Sequence, residues 1–435
     1  MKKTVLTVLA VLLLSVMLCG CSGLTFEISE LIVPPDPSGK LASINKALHD
    51  FAGDDITLRY PKGGDYRSAF VIQDIDGDSK EEAIAFYSTV SEENTNVMHI
   101  NLIVETADGW RSVSDDGVES GAIGSLEFKD INGDGISEVL VSRTVSSSST
   151  DKLSVFGYSS SGLIPYIFED YSAYTVCDII GNGENGLLIL SSDSANHSAV
   201  AKYFAVSRDG AAAVGECPLD AQAVSYRKPI VSTLPDGRPA VYVDADKGTL
   251  GTVTEVVYWH GKGLVDPFVT PPDYINTETL RGSTVSIYDF DRDGIPEIPL
   301  LTALPDQRGS TSDDPAYLTA WMKCNDGVLE PTAYALMNYS DGYSLKIDDE
   351  LRENIAVTKK AGQTERIISV YDSEMTVATE EIFRICAVPK GSEPPSENYE
   401  KTAETDQNDI YVLINKNSRY APSIAELSER IRAID

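Results

Sequence analysis

Three nine-residue loops of one pattern constrain this chain more than any other feature of it. The best formed reads Asp289-Phe290-Asp291-Arg292-Asp293-Gly294-Ile295-Pro296-Glu297, with carboxylates at positions 1, 3, 5 and 9. Near copies stand at Asp74-Ile75-Asp76-Gly77-Asp78-Ser79-Lys80-Glu81-Glu82 and Asp130-Ile131-Asn132-Gly133-Asp134-Gly135-Ile136-Ser137-Glu138. Oxygen donors at alternate positions of a tightly turned loop can converge on one point. That suits Ca²⁺, which takes about six to eight oxygen ligands at roughly 2.3–2.6 Å. Gly135 and Gly294 at position 6 permit the turn, and Ser79 departs from that pattern. An EF-hand needs a Glu at position 12 and a helix on each side, but position 12 here is Ala85, Val141 and Leu300. The runs that follow the loops, Ala83 to Tyr87, Val139 to Val141 and Ile298 to Leu301, read as strands. Each loop is therefore expected to turn between two strands.

The loop starts are 56 and then 159 residues apart, the second gap being about three periods of the first. Two degraded copies fill it, at Asp178 to Gly186 and at Ser232 to Ala240. Their positions 3 and 9 are Ile180 and Gly186, and Leu234 and Ala240, so neither is expected to hold an ion well. A tight-turn dipeptide follows every loop, at Asp108-Gly109, Ser161-Gly162, Asp209-Gly210, Lys262-Gly263 and Asp326-Gly327. Each repeat then reads as strand, acidic loop, strand, polar loop, strand, glycine turn, strand.

In these loops, their strand context and their period, residues 66–337 resemble the FG-GAP or VCBS repeats of calcium-binding β-propellers, including that of integrin α-subunits. The resemblance implies a mainly β protein with a propeller of about five four-stranded blades. The proposed ligand sets for about three structural Ca²⁺ ions are Asp74, Asp76, Asp78 and Glu82; Asp130, Asn132, Asp134 and Glu138; and Asp289, Asp291, Asp293 and Glu297. The position-7 carbonyls of Lys80, Ile136 and Ile295 complete them. Acidic loops and glycine turns would share one end of the sheets. The polar loops Ser88 to Asn96, Ser142 to Asp151, Ser191 to Ser198, Asp244 to Thr252 and Leu304 to Pro315 would share the other, where function or only neutral surface is expected.

Residues 1–20 read as a lipoprotein signal peptide: Lys2 and Lys3, an apolar run from Val5 to Leu18, then Leu18-Cys19-Gly20-Cys21, which resembles a bacterial lipobox. Lipidation of Cys21 would place the protein on the extracytoplasmic side of a cell membrane. Residues 21–65 read as a proline-containing tether and a short amphipathic helix with Leu41, Ile44, Leu48 and Phe51 on one face. Residues 338–435 read as a small α+β domain closed by a helix with the capping box Ser423 to Glu426 and with Ile424, Leu427, Ile431 and Ile434 on one face, the alternative being that some of its strands form a sixth blade.

A net charge of −32 argues against nucleic acid as a partner. Cys177, Cys217, Cys324 and Cys386 show no short spacing and are expected as buried thiols. Gly181 to Gly186 matches GxGxxG, but a strand rather than a helix is expected after it, against a nucleotide site. HExxH, GxSxG and CxxC are absent, and His99, His197 and His260 are isolated in sequence. The expectation is a non-enzymatic module that binds a protein or glycan at the cell envelope. The alternatives are an envelope enzyme acting on polysaccharide and a purely structural surface protein.

Overall fold

The apolar runs on either side of the acidic loops are strands, paired antiparallel across them. The computed structural model describes residues 39–90, 95–119, 121–145, 150–282, 285–304, 316–359, 364–371 and 378–434. The signal peptide, Cys21 and the tether to residue 38 lie outside these, as does most of the polar loop 304–315.

The described residues form a mainly β protein of six antiparallel sheets, taken up in chain order. In the first, Phe70–Gln73, Glu82–Val90, Asn96–Thr106 and Gly109–Glu119 pair in succession, with Thr57–Leu58 beside Phe70–Gln73 on the same neighbour. The second runs Ala122–Lys129, Glu138–Thr144, Asp151–Ser159, Gly162–Tyr171, and the third Ala173–Cys177, Gly186–Asp193, Ser198–Ser207, Gly210–Pro218. The fourth pairs Ile230–Thr233, Pro239–Asp246, Thr252–His260 and Gly263–Val265. The fifth runs Ile298–Ala303, Tyr317–Asn325, Val328–Asn338, Tyr343–Ile347 and Ile431–Ala433. The sixth holds Ile355–Lys359, Glu365–Tyr371, Ala378–Pro389, Asn408–Ile414 and Glu400–Glu404.

Because successive strands run in opposite directions, the acidic loop and the glycine turn of a repeat come to the same end of its sheet. The turn glycines Gly109, Gly162, Gly210 and Gly327 have positive φ, whereas in the fourth sheet Gly261 rather than Gly263 takes it. At Gly162, φ is 145° and an added Cβ would stand 2.6 Å from Ser114 Cβ of the first sheet, so a side chain there would strain the turn and push neighbouring sheets apart.

Consecutive sheets bury one another's faces. Ile84, Phe86, Ile100 and Leu102 pack with Leu126, Val139 and Val141; Leu153 and Val155 with Leu187 and Ile189; Leu188 and Leu190 with Val241 and Val257; Tyr242 and Tyr258 with Ile298 and Cys324. Leu318, Leu336 and Leu345 of the fifth sheet share a core with Ile368, Ile385 and Val412 of the sixth, so both the fifth sheet and this core run through position 338. Cys177, Cys217, Cys324 and Cys386 are buried free thiols.

The face of the first sheet turned away from the second carries Ala83, Ala85, Tyr87 and Ile103. It is covered by the helix Lys40–Ala52 through Ile44, Ala47 and Leu48. Of the expected apolar face, Phe51 and Leu41 are instead exposed, because Ala47 rather than Phe51 follows Ile44 onto the sheet. The capping box forms as expected: Glu426 N–H donates to Ser423 Oγ at 3.2 Å and Ser423 N–H to Glu426 Oε2 at 2.6 Å. The helix nevertheless stops at Arg430. Ile431 pairs with Leu345 on the open edge of the fifth sheet, which offers its backbone partners that another helical turn would not use.

Residues 266–282 have little regular structure and are tied to the fourth sheet by buried polar groups. Lys247 Nζ donates to Asp220 Oδ2 at 2.7 Å, and Asn276 N–H reaches the same oxygen at 2.9 Å. The Arg281 guanidinium pairs with Asp244, and Asn276 Nδ2 donates to the Thr254 carbonyl at 2.9 Å. Glu255 and Asp266 lie together in this layer. Burial, compounded by their mutual repulsion, pushes Glu255 well above the ordinary carboxylate range, and burial raises Asp266 to about 6.

An acid whose folded pKa exceeds its unfolded one binds its proton more tightly in the native state. Its stabilising contribution is complete below about pH 4 and is lost as pH rises through the folded value. Melting temperature is therefore expected to fall between pH 5 and 8. Glu255→Gln, which keeps the acceptor for Asp220 N–H, should flatten that slope and melt higher than the parent at pH 8. Parallel calorimetric profiles for the two proteins would refute this.

Candidate metal centres

Each acidic loop is built by its own side chains. The position-1 aspartate accepts two or three backbone N–H groups. Asp74 takes those of Gly77 and Ser79 at 2.8 and 3.0 Å; Asp130 takes Gly133, Asp134 and Gly135 at 2.7, 3.0 and 2.9 Å; Asp289 takes Asp293 and Gly294 at 3.0 and 2.9 Å. Positions 3 and 5 each accept the N–H two residues on: Asp76, Asn132 and Asp291 from Asp78, Asp134 and Asp293, and those three from Lys80, Ile136 and Ile295. Position 9 turns back on position 2, where Glu82, Glu138 and Glu297 accept the N–H of Ile75, Ile131 and Phe290 at 2.9, 2.8 and 2.6 Å.

One oxygen of each position-3, 5 and 9 side chain thus holds the loop, and a carboxylate there keeps a second oxygen to offer. The turn needs left-handed backbone at position 4 as well as position 6. Gly77, Gly133 and Arg292 have φ of 74°, 76° and 66°, and Ser79, Gly135 and Gly294 have 69°, 86° and 91°. Ser79 accepts the conformation that glycine was expected to supply.

The three glutamates are buried, and burial, reinforced by the neighbouring aspartates, raises Glu82 and pushes Glu138 and Glu297 up to about 7. Glu297 Oε1 is fully buried, and the cation near it is the Lys323 ammonium. A buried carboxylate among acids needs either a proton or a cation, so this all-oxygen donor set fits a hard divalent ion that would take the place of that ammonium. In the first loop, oxygens of Asp74, Asp76 and Asp78 lie within 4.8 Å of one another, and in the last so do those of Asp289, Asp291, Asp293 and Glu297. The second loop is looser: Asn132 replaces an acid, and its Nδ2 donates to Glu138 Oε1 at 3.3 Å.

The last loop differs from the others in one respect that its own residues do not reveal. Lys323 Nζ, from the strand Tyr317–Asn325, stands 2.7 Å from Asp291 Oδ2, 2.5 Å from Asp293 Oδ2 and 3.2 Å from Glu297 Oε1. These contacts raise the Lys323 ammonium's pKa despite its burial. The pairings Ile298 with Met322, Ala83 with Ile103 and Val139 with Phe156 place Val104 and Gly157 at the matching positions of the first and second sheets. Neither can supply a cation. Lys80 meets Asp78 Oδ2 at 2.7 Å in the first loop, but from an exposed position.

The degraded loop at Asp178 keeps the backbone design, with Gly181, Asn182 and Gly183 N–H on Asp178, but Ile180 points a hydrocarbon where a ligand would stand. The fourth repeat shortens to a turn in which Leu234 N–H donates to the Arg238 carbonyl at 2.8 Å. Neighbouring loops touch: Ser137 N–H donates to the Ile75 carbonyl at 2.9 Å, and Ser232 Oγ to the Gly294 carbonyl at 2.7 Å.

At the opposite end of the sheets, an open cavity of about 360 Å³ is lined by Asp151, Tyr171, Ser172, Ser192, Asp193 and Ser225, among others, with no histidine or lysine among the described residues of its wall. His99, isolated in sequence, meets Asp115 across the first sheet. Its Nδ1 is 2.6 Å from Asp115 Oδ2, its Nε2 2.9 Å from Thr89 Oγ1, and its ring stacks on Tyr87 at 4.5 Å. Burial alone would push Asp115 up, but hydrogen bonds from His99, Asn101 and Tyr87 outweigh it and hold the carboxyl below its usual range. With both ring nitrogens engaged, the group clasps three strands together. Only strand register brings it together, so sequence reasoning had no signal for Asp115 or Thr89.

No family model matches the chain. No curated protein matches it either. Among solved structures, a similar chain is one described as a candidate 6-phosphogluconolactonase from Bacteroides uniformis. It is 10% identical, the match covering 75% of this chain and 95% of that one at a TM-score of 0.27. Likeness that low carries no argument about fold or activity.

Proposed function

We propose that this protein is an extracytoplasmic binding module whose stacked sheets are the blades of a calcium-stapled β-propeller of the FG-GAP or VCBS kind, held to a membrane by a lipid at Cys21. The sixth sheet then counts as a sixth blade, and the helix Lys40–Ala52 covers the outer face of the first. Calcium's role is structural: each ion would tie the two strands of a loop together at the end where neighbouring loops touch. Asp74, Asp76, Asp78 and Glu82 would hold one ion, Asp130, Asn132, Asp134 and Glu138 a second, and Asp289, Asp291, Asp293 and Glu297 a third, weaker one that must first displace Lys323.

The observation that carries the binding role is the open cavity at the polar-loop end. Its hydroxyls, Tyr171 ring and two carboxylates match the hydrogen-bonding groups and flat faces of a sugar. Among the described residues of its wall none is a histidine or lysine. We therefore favour a glycan of the cell envelope as the ligand.

Sedimentation with insoluble cell-envelope polysaccharide tests this. The protein is expected in the pellet with calcium present, and Ser225→Trp, which places an indole in the cavity mouth, should leave it in the supernatant. Wild-type protein that stays in solution would sink the glycan reading and point to a protein ligand.

A further inference from the structure

Between the fifth and sixth sheets lies a second cavity, of about 260 Å³, with a wall unlike that of the first. It opens beside Ala316 and Tyr317 and the turn Asn338 to Ser340, the end of the sheets that also carries the polar loops. Leu301, Leu336, Leu345, Val357, Ile368 and Ile385 make most of its surface. Among the described residues a single charged one, Arg366, lines it.

Arg366 Nη2 donates to Asn338 Oδ1 at 2.9 Å, and its Nε is buried with no hydrogen-bond partner. Asp341 belongs to the same network but bonds the Asn338 amide at 2.7 Å. Among the described residues no carboxylate pairs with Arg366. This is unusual in a chain of net charge −32, where acids outnumber bases 67 to 35. The hydroxyl of Thr319, a further lining residue, is also buried without a partner. Buried polar groups are nearly always satisfied, and a guanidinium is a fork made for a planar anion.

We propose that this cavity binds a small amphipathic carboxylate, with the carboxylate on Arg366 and the hydrocarbon body against Leu345, Ile368 and Ile385. Both halves of the ligand are required. Seven-tenths of a typical small ligand's surface must be buried, at roughly that fraction or above, and here apolar side chains do the burying. An anion without an apolar part would leave them wet, and an apolar molecule without an anion would leave the guanidinium unpaired. At about 30 Å³ per water, 260 Å³ corresponds to a ligand on the order of ten non-hydrogen atoms. Octanoate has that size and chemistry and serves as the probe.

Calorimetric titration of the purified protein with octanoate, and separately with 1-octanol, tests the site. Octanoate is expected to bind one to one, at least tenfold more tightly than octanol. Arg366→Met should abolish that difference while leaving octanol binding in place. Val357→Phe, which fills the cavity from the strand paired beside that of Arg366 and keeps Arg366, should block both probes, with an unchanged far-ultraviolet spectrum showing that the sheets are intact. Equal affinity for the two probes, no binding of either, or octanoate binding that survives both substitutions would overturn the assignment.

Discussion

Replacing Lys247 by methionine is expected to destabilise the protein by about 3–5 kcal/mol, the range for breaking a buried ion pair from one side. Lys247 and Asp220 are both buried, and the ammonium stands 2.7 Å from Asp220 Oδ2. Methionine nearly matches the lysine stem in volume, so little packing is lost and the effect reports the stranded Asp220 carboxylate. That carboxylate keeps N–H donors from Gln222 at 2.7 Å and Asn276 at 2.9 Å, which offset part of its charge but none of its need for a counter-ion. Adding Asp220→Asn to the variant should recover a large share of the loss, because the amide preserves an acceptor and carries no charge. Urea unfolding of the single and double variants measures both numbers. A single variant within about 0.5 kcal/mol of wild type would mean that Asp220 takes a proton from solvent at no appreciable penalty, and that the pair does not hold residues 266–282 to the fourth sheet.

Lys323→Met is expected to raise the number of calcium ions bound by one and to make the last loop a stronger site than in the parent. In wild type an ion entering that loop must first displace the Lys323 ammonium from Asp291 and Asp293. Two charge-assisted bonds at about 1.5 kcal/mol each, the low end because both aspartates are partly in water, make that displacement worth about 3 kcal/mol, or somewhat over a 100-fold weaker affinity. The loops at Asp74 and Asp130 face Val104 and Gly157 at the matching positions, and the cations that reach them, Lys80 on Asp78 and Arg208 on Asp134, are exposed and each touch a single carboxylate.

The same substitution should lower the melting temperature in chelator, since it removes the cation from Asp291, Asp293 and Glu297, and raise it in millimolar calcium. Opposite signs in the two conditions are the signature of a structural site. Equal stoichiometry in the two proteins would show that Lys323 does not guard the loop. Absence of calcium binding in both would instead sink the calcium reading itself, leaving the loops as turns closed by their own aspartates. Loss of amide protection at Phe70–Gln73 and Ala122–Lys129 on chelation would report the stapling directly.

Local chemistry was legible in the sequence. Alternating donors with left-handed positions made the acidic loops readable, because the loop is closed by side chains bonding to amides two to five residues away. Strand–loop–strand repeats and the glycine turns were legible for the same reason, and the degraded copies at Asp178 and Leu234 could be found by register alone. The capping box at Ser423 formed as read, yet the helix behind it ended early, since Ile431 found a sheet edge that lies more than 80 residues back in the chain.

Everything that depends on which strand lies beside which was decided only by the tertiary structure. Lys323 reaches its acids because Ile298 pairs with Met322. His99 meets Asp115 because two strands align. Arg366 lines a cavity because the sixth sheet packs its apolar face on the fifth, the two sharing one core. The sequence by itself determined the loops, the strands and their order, since those follow from hydrogen bonds and side-chain patterns within a few residues. Long-range pairing alone determined where the unpaired charges of a strongly acidic chain would find, or fail to find, their partners.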